Sequence, residues 1–193
     1  MYDKTQEKII NAATKLIIEK GYAATTTKQI AKEAGVNECT LFRRFGEKKE
    51  ILLAALALPQ WNPALREADF EAKGSVKKDL TAWAEIYMDR YTIDMMRLAA
   101  GLRSSDLTSE EMAPVTLAPQ LFISVLEKYF LELMKKGKLS VGCDPMVAAL
   151  QFAAMCHGFM AFSAEWGEEF LHVSREEYLK NSVKNFLKGV RGK

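Results

Sequence analysis

An all-α fold is predicted by three features of this 193-residue chain. Apolar residues recur at spacings of three and four along most of its length, and strand-like alternation is nearly absent. Helix-start signals repeat: Thr26 with Gln29, Thr108 with Glu111 and Ser174 with Glu177 each have the form of a capping box. Gly21, Gly35 and Gly137 stand where periodic runs stop. The expected organisation is an N-terminal three-helix module over residues 1–47 and a larger helical domain over residues 48–193.

The first helix is expected over residues 5–19, with Ile9, Ala12, Ala13, Leu16 and Ile17 turned inward and Gly21 ending it. Thr26 and Gln29 open the second. Ile30, Ala31 and Ala34 give it a small apolar face, and Gly35 stops it by taking a positive φ. Val36 fills the turn, and Asn37 is a good N-cap for a third helix. Leu41, Phe42 and Phe45 are read as that helix's buried stripe, leaving Glu38, Cys39, Thr40, Arg43 and Arg44 on its free face. A fourth helix is expected over residues 48–58, closed by Pro59. Residues 60–74 read as a connection in which residues 64–72 could form a short helix.

A long helix follows over residues 75–94, with Val76, Leu80, Trp83, Tyr87 and Tyr91 on one side. The pattern continues over residues 93–102, with Gly101 near a break. Thr108 opens another element, which Pro114 and Pro119 are expected to limit. Residues 120–136 form a further amphipathic helix. Asp144 followed by Pro145 is a strong start signal for a nearly all-apolar helix to about residue 166. The last helix covers residues 174–190, with Leu179, Val183, Phe186, Leu187 and Val190 inward.

Composition narrows the class. Hydrophobic residues make up 49% of the chain, too many for a disordered protein. Net charge is only +2, but its distribution is uneven. Residues 1–50 hold ten Lys or Arg against seven Asp or Glu, and the remainder holds seventeen against eighteen. The basic excess therefore lies at the N-terminal end, where a phosphate-facing module would need it. Cys39, Cys143 and Cys156 are odd in number and form no C-x-x-C pair, and His157 and His172 lack metal-ligand spacing. No cofactor or metal is implied. No signal peptide is read, and no apolar run is judged long enough to span a membrane. A cytoplasmic location is the expectation.

The helix pair over residues 26–45 carries the functional reading. A second helix with two adjacent arginines on its free face is suited to phosphates and base edges of double-stranded DNA. Arg43 and Arg44 can release counterions or reach a guanine edge, and Glu38 and Thr40 lie near the helix start, where base contacts usually originate. Lys48 and Lys49 open the next helix and are placed for phosphate. Thr26, Thr27 and Lys28 form a second helix N-terminus, whose amides attract phosphate oxygens. The bland alternative is a set of solvated charges on a small helical domain.

This segment resembles the helix-turn-helix of the TetR family of transcriptional regulators, whose pattern runs roughly T-x-x-x-I-A-x-x-A-G-V-S-x-G-x-x-Y-x-x-F-x-x-K. Ile30, Ala31, Ala34, Gly35, Val36, Phe45 and Lys48 occupy its fixed positions, and Gly21-Tyr22 is similar to the family's helix-one exit. Asn37 stands for the usual Ser and preserves capping. Phe42 replaces a Tyr whose hydroxyl often touches phosphate, and Cys39 replaces a Gly near the start of the reading helix. The resemblance implies DNA contact by Thr26, Thr27, Lys28, Asn37, Glu38, Cys39, Thr40, Phe42, Arg43, Arg44, Lys48 and Lys49. It also implies a homodimer, formed by the last two long helices pairing with their mates, and release from a palindromic operator by a small effector.

Two further constellations fit that picture, each with a plain alternative. The helix after Asp144 is rich in Ala148, Ala149, Ala153, Ala154, Gly158 and Ala161, which permit close helix approach; it is a dimer face or the centre of a monomeric core. Trp83, Ile86, Tyr87, Met88, Arg90, Tyr91, Met95 and Met96 on one side, and Phe122, Leu126, Phe152, Met155 and Phe159 on the other, line an apolar effector pocket or are ordinary core packing. Cys39 is a redox sensor or a tolerated substitution. An enzyme is disfavoured: no G-x-S-x-G, H-E-x-x-H, Gly-rich phosphate loop or paired carboxylates is found. A purely architectural DNA binder without an effector remains the other alternative.

Overall fold

A computed structural model of the chain describes residues 2–61, 64–102, 105–139 and 143–190, except for the side chain of residue 168. Among the described residues there are nine α-helices and no strand. They are α1 (Lys4–Lys20), α2 (Thr27–Ala34), α3 (Glu38–Phe45), α4 (Lys48–Leu56), α5 (Val76–Arg90), α6 (Ile93–Gly101), α7 (Ala113–Lys135), α8 (Pro145–Trp166) and α9 (Arg175–Val190). Short 3-10 turns occur at Pro59–Trp61, Glu67–Phe70 and Glu168–Leu171.

Two compact units are present. The first comprises Met1–Pro63 and Asp94–Thr116, the second Ala64–Ile93 and Leu117–Lys193. This division does not follow the expected 47/48 boundary, because α4 packs on α1 and most of α6 belongs to the first unit. In that unit Ile9, Ile10, Ala13, Ile30, Ala31, Leu41, Ile51 and Ala55 share one core, completed by Phe45 and Tyr2 at its margin. Ile17, Tyr22, Leu52, Leu56, Leu98 and Leu102 form a second cluster. The two chain segments meet where Gly101 has no side chain. A Cβ there would stand 2.7 Å from the Ile17 carbonyl oxygen, and the Gly101 carbonyl accepts from the Tyr22 amide at 2.9 Å.

The second unit is built on aromatic contacts. Tyr87 and Phe122 stack with ring centroids 4.4 Å apart. Phe70 tilts against Phe122, and Phe152 meets Phe186 edge-on. Asp79, buried in the first turn of α5, accepts from the Lys73 amide at 2.9 Å and the Tyr129 hydroxyl at 2.8 Å. That pairing satisfies a carboxylate that would otherwise be costly to bury. The same contact and the burial around it push the Tyr129 hydroxyl's pKa up, burial being the larger cause.

Three expectations need correction. Pro119 does not limit a helix: α7 runs through it. The missing amide removes one helical hydrogen bond, and burial of Ala118 and Phe122 on either side of it outweighs that loss. The Thr108–Glu111 box forms, with the Thr108 amide donating to Glu111 at 2.8 Å, but it closes a turn and α7 starts at Ala113. Finally, α8 is long and apolar enough to cross a membrane by length and composition, contrary to the sequence reading. Ala148, Ala149, Phe152, Ala153, Cys156, Phe159 and Met160 along it are buried within the protein.

Candidate DNA interface

Local chemistry sets the two helices of the turn. The Thr26 hydroxyl accepts from the Gln29 amide at 3.3 Å while the Gln29 side chain accepts from the Thr26 amide at 3.1 Å. Gly35 adopts φ +68°, a left-handed conformation that closes α2. The Val36 amide then reaches back to the Ala31 carbonyl at 2.9 Å. Asn37 accepts from the Cys39 amide at 2.8 Å and starts α3. The starts of the two helices are joined by a hydrogen bond from the Thr27 hydroxyl to Glu38 at 2.7 Å.

The free face is mixed. Lys28 and Arg43 are exposed and make no side-chain ion pair or hydrogen bond among the described residues. Cys39 is exposed and Thr40 half-buried. Phe42 is 47% exposed, so the reading that put it in the buried stripe is corrected. Leu41 and Phe45, four residues apart, turn inward, and Phe42 sits about 100° round the helix from Leu41.

Three cations of the expected set are engaged within the protein. The Arg44 guanidinium pairs with Asp3 at 2.8 Å. The Lys48 ammonium donates to the Tyr22 and Thr25 carbonyls, each at 2.9 Å, and lies 3.8 Å above the Tyr22 ring. Burial pulls its pKa down, and Asp106 opposes that pull. Lys49 pairs with Glu111 at 2.9 Å, and that hydrogen bond raises its pKa. Lys48 and Lys49 therefore brace α4 against the α1 exit and the 94–116 segment, and neither presents an unengaged ammonium group.

The residues expected to line an effector pocket fall in two places. Trp83, Tyr87, Tyr91, Phe122, Leu126, Phe152 and Phe159 are buried in the second unit, with Ile86, Arg90 and Met155 partly covered there. Met95 is buried in the first unit. The Tyr87 hydroxyl lies 3.2 Å from His157 Nδ1, and the Tyr91 ring stacks on the same imidazole. Arg90 holds Asp69 at 2.6 Å. Along α8, Met146, Val147, Leu150, Phe162 and Trp166 are exposed.

Residues 9–55 match the profile of bacterial regulatory proteins of the tetR family, and residues 77–189 match the AefR-like transcriptional repressor C-terminal domain. The chain belongs to the TetR family of bacterial transcriptional regulators. It is 28% identical over 187 residues to the HTH-type transcriptional regulator YvkB of Bacillus subtilis, covering 96% of this chain and 97% of that one. A regulatory protein of the same family from Rhodococcus RHA1 superposes with TM-score 0.73 at 18% identity over the whole of both chains. NalD of Pseudomonas aeruginosa, the secondary repressor of the MexAB-OprM multidrug efflux pump, does so with TM-score 0.66 at 20% identity, covering 97% of this chain and 96% of that one.

This TetR-family chain is thus a transcriptional regulator with a DNA-binding helix-turn-helix, not an enzyme. Sequence reasoning missed Tyr2 and Asp3 beside its reading helix. Asp3-x-x-Gln6 is a capping pattern, and it forms: Asp3 accepts from the Thr5 and Gln6 amides at 2.9 Å each. Its pairing with Arg44 has no sequence signal, since forty residues separate the two.

Proposed function

We propose that this regulator is a cytoplasmic homodimeric repressor that leaves a palindromic operator when a small, largely apolar effector binds. The observation that carries the reading is the exposed apolar line of Val147, Leu150, Phe162 and Trp166 on α8. A surface of that kind fits a second copy of the chain, and two copies present two reading helices to two half-sites. The DNA face would comprise Thr26, Thr27 and Lys28 at the start of α2, Asn37 at the cap of α3, and Glu38, Cys39, Thr40, Phe42 and Arg43 on α3. Lys48 and Lys49 would hold α4 behind it. The repressor sense is supported by the AefR-like repressor profile and by the similarity to NalD, itself a secondary repressor.

The effector would enter the aromatic group around Tyr87, Tyr91, Phe122 and Phe152, with Tyr87 and His157 offering the polar contact. Release follows if the effector favours a form whose reading helices no longer match the operator spacing. The close packing of the same group favours a second reading, in which the protein binds DNA without any effector: Phe122 and Phe152 are fully buried and Tyr87 nearly so. Light scattering combined with gel mobility shifts separates these. A mass of two chains, preference for palindromic over scrambled duplex, and loss of the shifted band on adding lipophilic compounds support the proposal. A single-chain mass with equal binding to both duplexes would sink it, and a band that persists with every compound supports the effector-free reading.

A further inference from the structure

The end of the reading helix is tied to the start of the chain. Asp3 divides its carboxylate between two tasks. Oδ1 accepts from the Thr5 and Gln6 amides and caps α1. Oδ2 forms an ion pair at 2.8 Å with the guanidinium of Arg44, in the last turn of α3. Beside it the Tyr2 ring packs on Phe45, with centroids 6.4 Å apart. Tyr2, Gln6, Arg44, Phe45, Glu50 and Leu53 line an open groove, so this contact is a clasp on the surface and not part of the closed core. At the other end of α3, Glu38 is held by the Thr27 hydroxyl. Arg43, next to Arg44, has no such engagement.

We infer that Tyr2 and Asp3 form an N-terminal hook that fixes the pitch of the reading helix, and that Arg44 is a positioning residue rather than a phosphate contact. This deepens the DNA-binding reading above and rests on it. The two arginines then divide the labour. Arg43 meets the duplex, and Arg44 holds α3 to α1. An arginine whose guanidinium is already paired with a carboxylate releases few counterions on binding, so it contributes little to the salt dependence of affinity.

Asp3→Asn keeps the Oδ1 cap but turns an amide NH2 toward Arg44, removing only the clasp. Tyr2→Ala removes the ring contact. In the free protein, hydrogen exchange at the α3 amides of Phe42–Phe45 is expected to accelerate about tenfold in the double variant, with α2 and α9 unchanged. Unchanged α3 exchange overturns the hook whether or not DNA binds. With operator duplex, Arg44→Ala is expected to weaken binding about threefold, the scale of an exposed ion pair, with an unaltered salt slope. Arg43→Ala should lower the slope by about one charge. A slope that falls by about one charge in Arg44→Ala makes Arg44 a phosphate contact and also overturns the proposal. Absence of DNA binding by the parent protein would instead count against the function proposed above, leaving the exchange result to decide the hook.

Discussion

The two units of the molecule treat apolar surface in opposite ways. In the first, short aliphatic and alanine side chains fill the core, and the one large apolar side chain well exposed among the described residues is Phe42, on the reading helix. In the second, the core is a series of stacked rings, yet Leu117, Leu131, Met146, Val147, Leu150, Phe162, Trp166 and Phe170 are all exposed. Phe162, Trp166 and Phe170 follow one another with centroids 5.2 and 5.0 Å apart. The lesson is physical. A unit that meets DNA can finish its own core and show a polar face, whereas a unit that pairs with another copy, as proposed above for the second, must leave part of its core chemistry outside.

The largest way to break this contrast is Phe122→Ala. Its ring is fully buried between Tyr87, Phe70 and Phe152, so its loss should cost about 3–5 kcal/mol in chemical denaturation. A cost under about 1 kcal/mol would mean the rings are loosely packed. Next comes Gly101→Ala in the first unit. Helix propensity alone would make alanine better by about 1 kcal/mol. The Ile17 carbonyl at 2.7 Å reverses that sign, and a net destabilisation of about 1–3 kcal/mol is expected. A rise in Tm would show that the close approach yields cheaply.

Trp166→Glu sharpens the comparison at the exposed face. In the proposed dimer a charge would replace an aromatic anchor, and sedimentation should show dissociation at least about tenfold easier. An unchanged association constant would remove α8 from the interface. Asn37→Ala should cost about 1 kcal/mol through the lost cap of α3 and weaken operator binding in step. The smallest effect concerns acid. The Arg90 guanidinium first, then hydrogen bonds from Arg66, hold the Asp69 carboxyl down at about 2. A depressed folded-state pKa stabilises above the unfolded value near 3.8, and that stabilisation is lost as pH falls through about 2. Arg90→Gln should therefore flatten the fall in stability between those two values. An identical acid profile would show that Arg90 does not set this pKa.

Much of the first unit is readable without coordinates, because its determinants are local. Thr26 with Gln29, Gly35 and Asn37 each act within one turn, so the amino-acid order alone determines α2, the turn, α3 and which face bears Lys28 and Arg43. The order of residues likewise determined the start of α8 at Asp144-Pro145 and the all-helical class. Only the tertiary structure decided that Lys48 is spent on two carbonyls, that Arg44 belongs to Asp3, and that Phe42 faces outward. These outcomes depend on groups far apart along the chain, and hydrogen bonds and packing between such groups leave no periodic trace in the residues themselves.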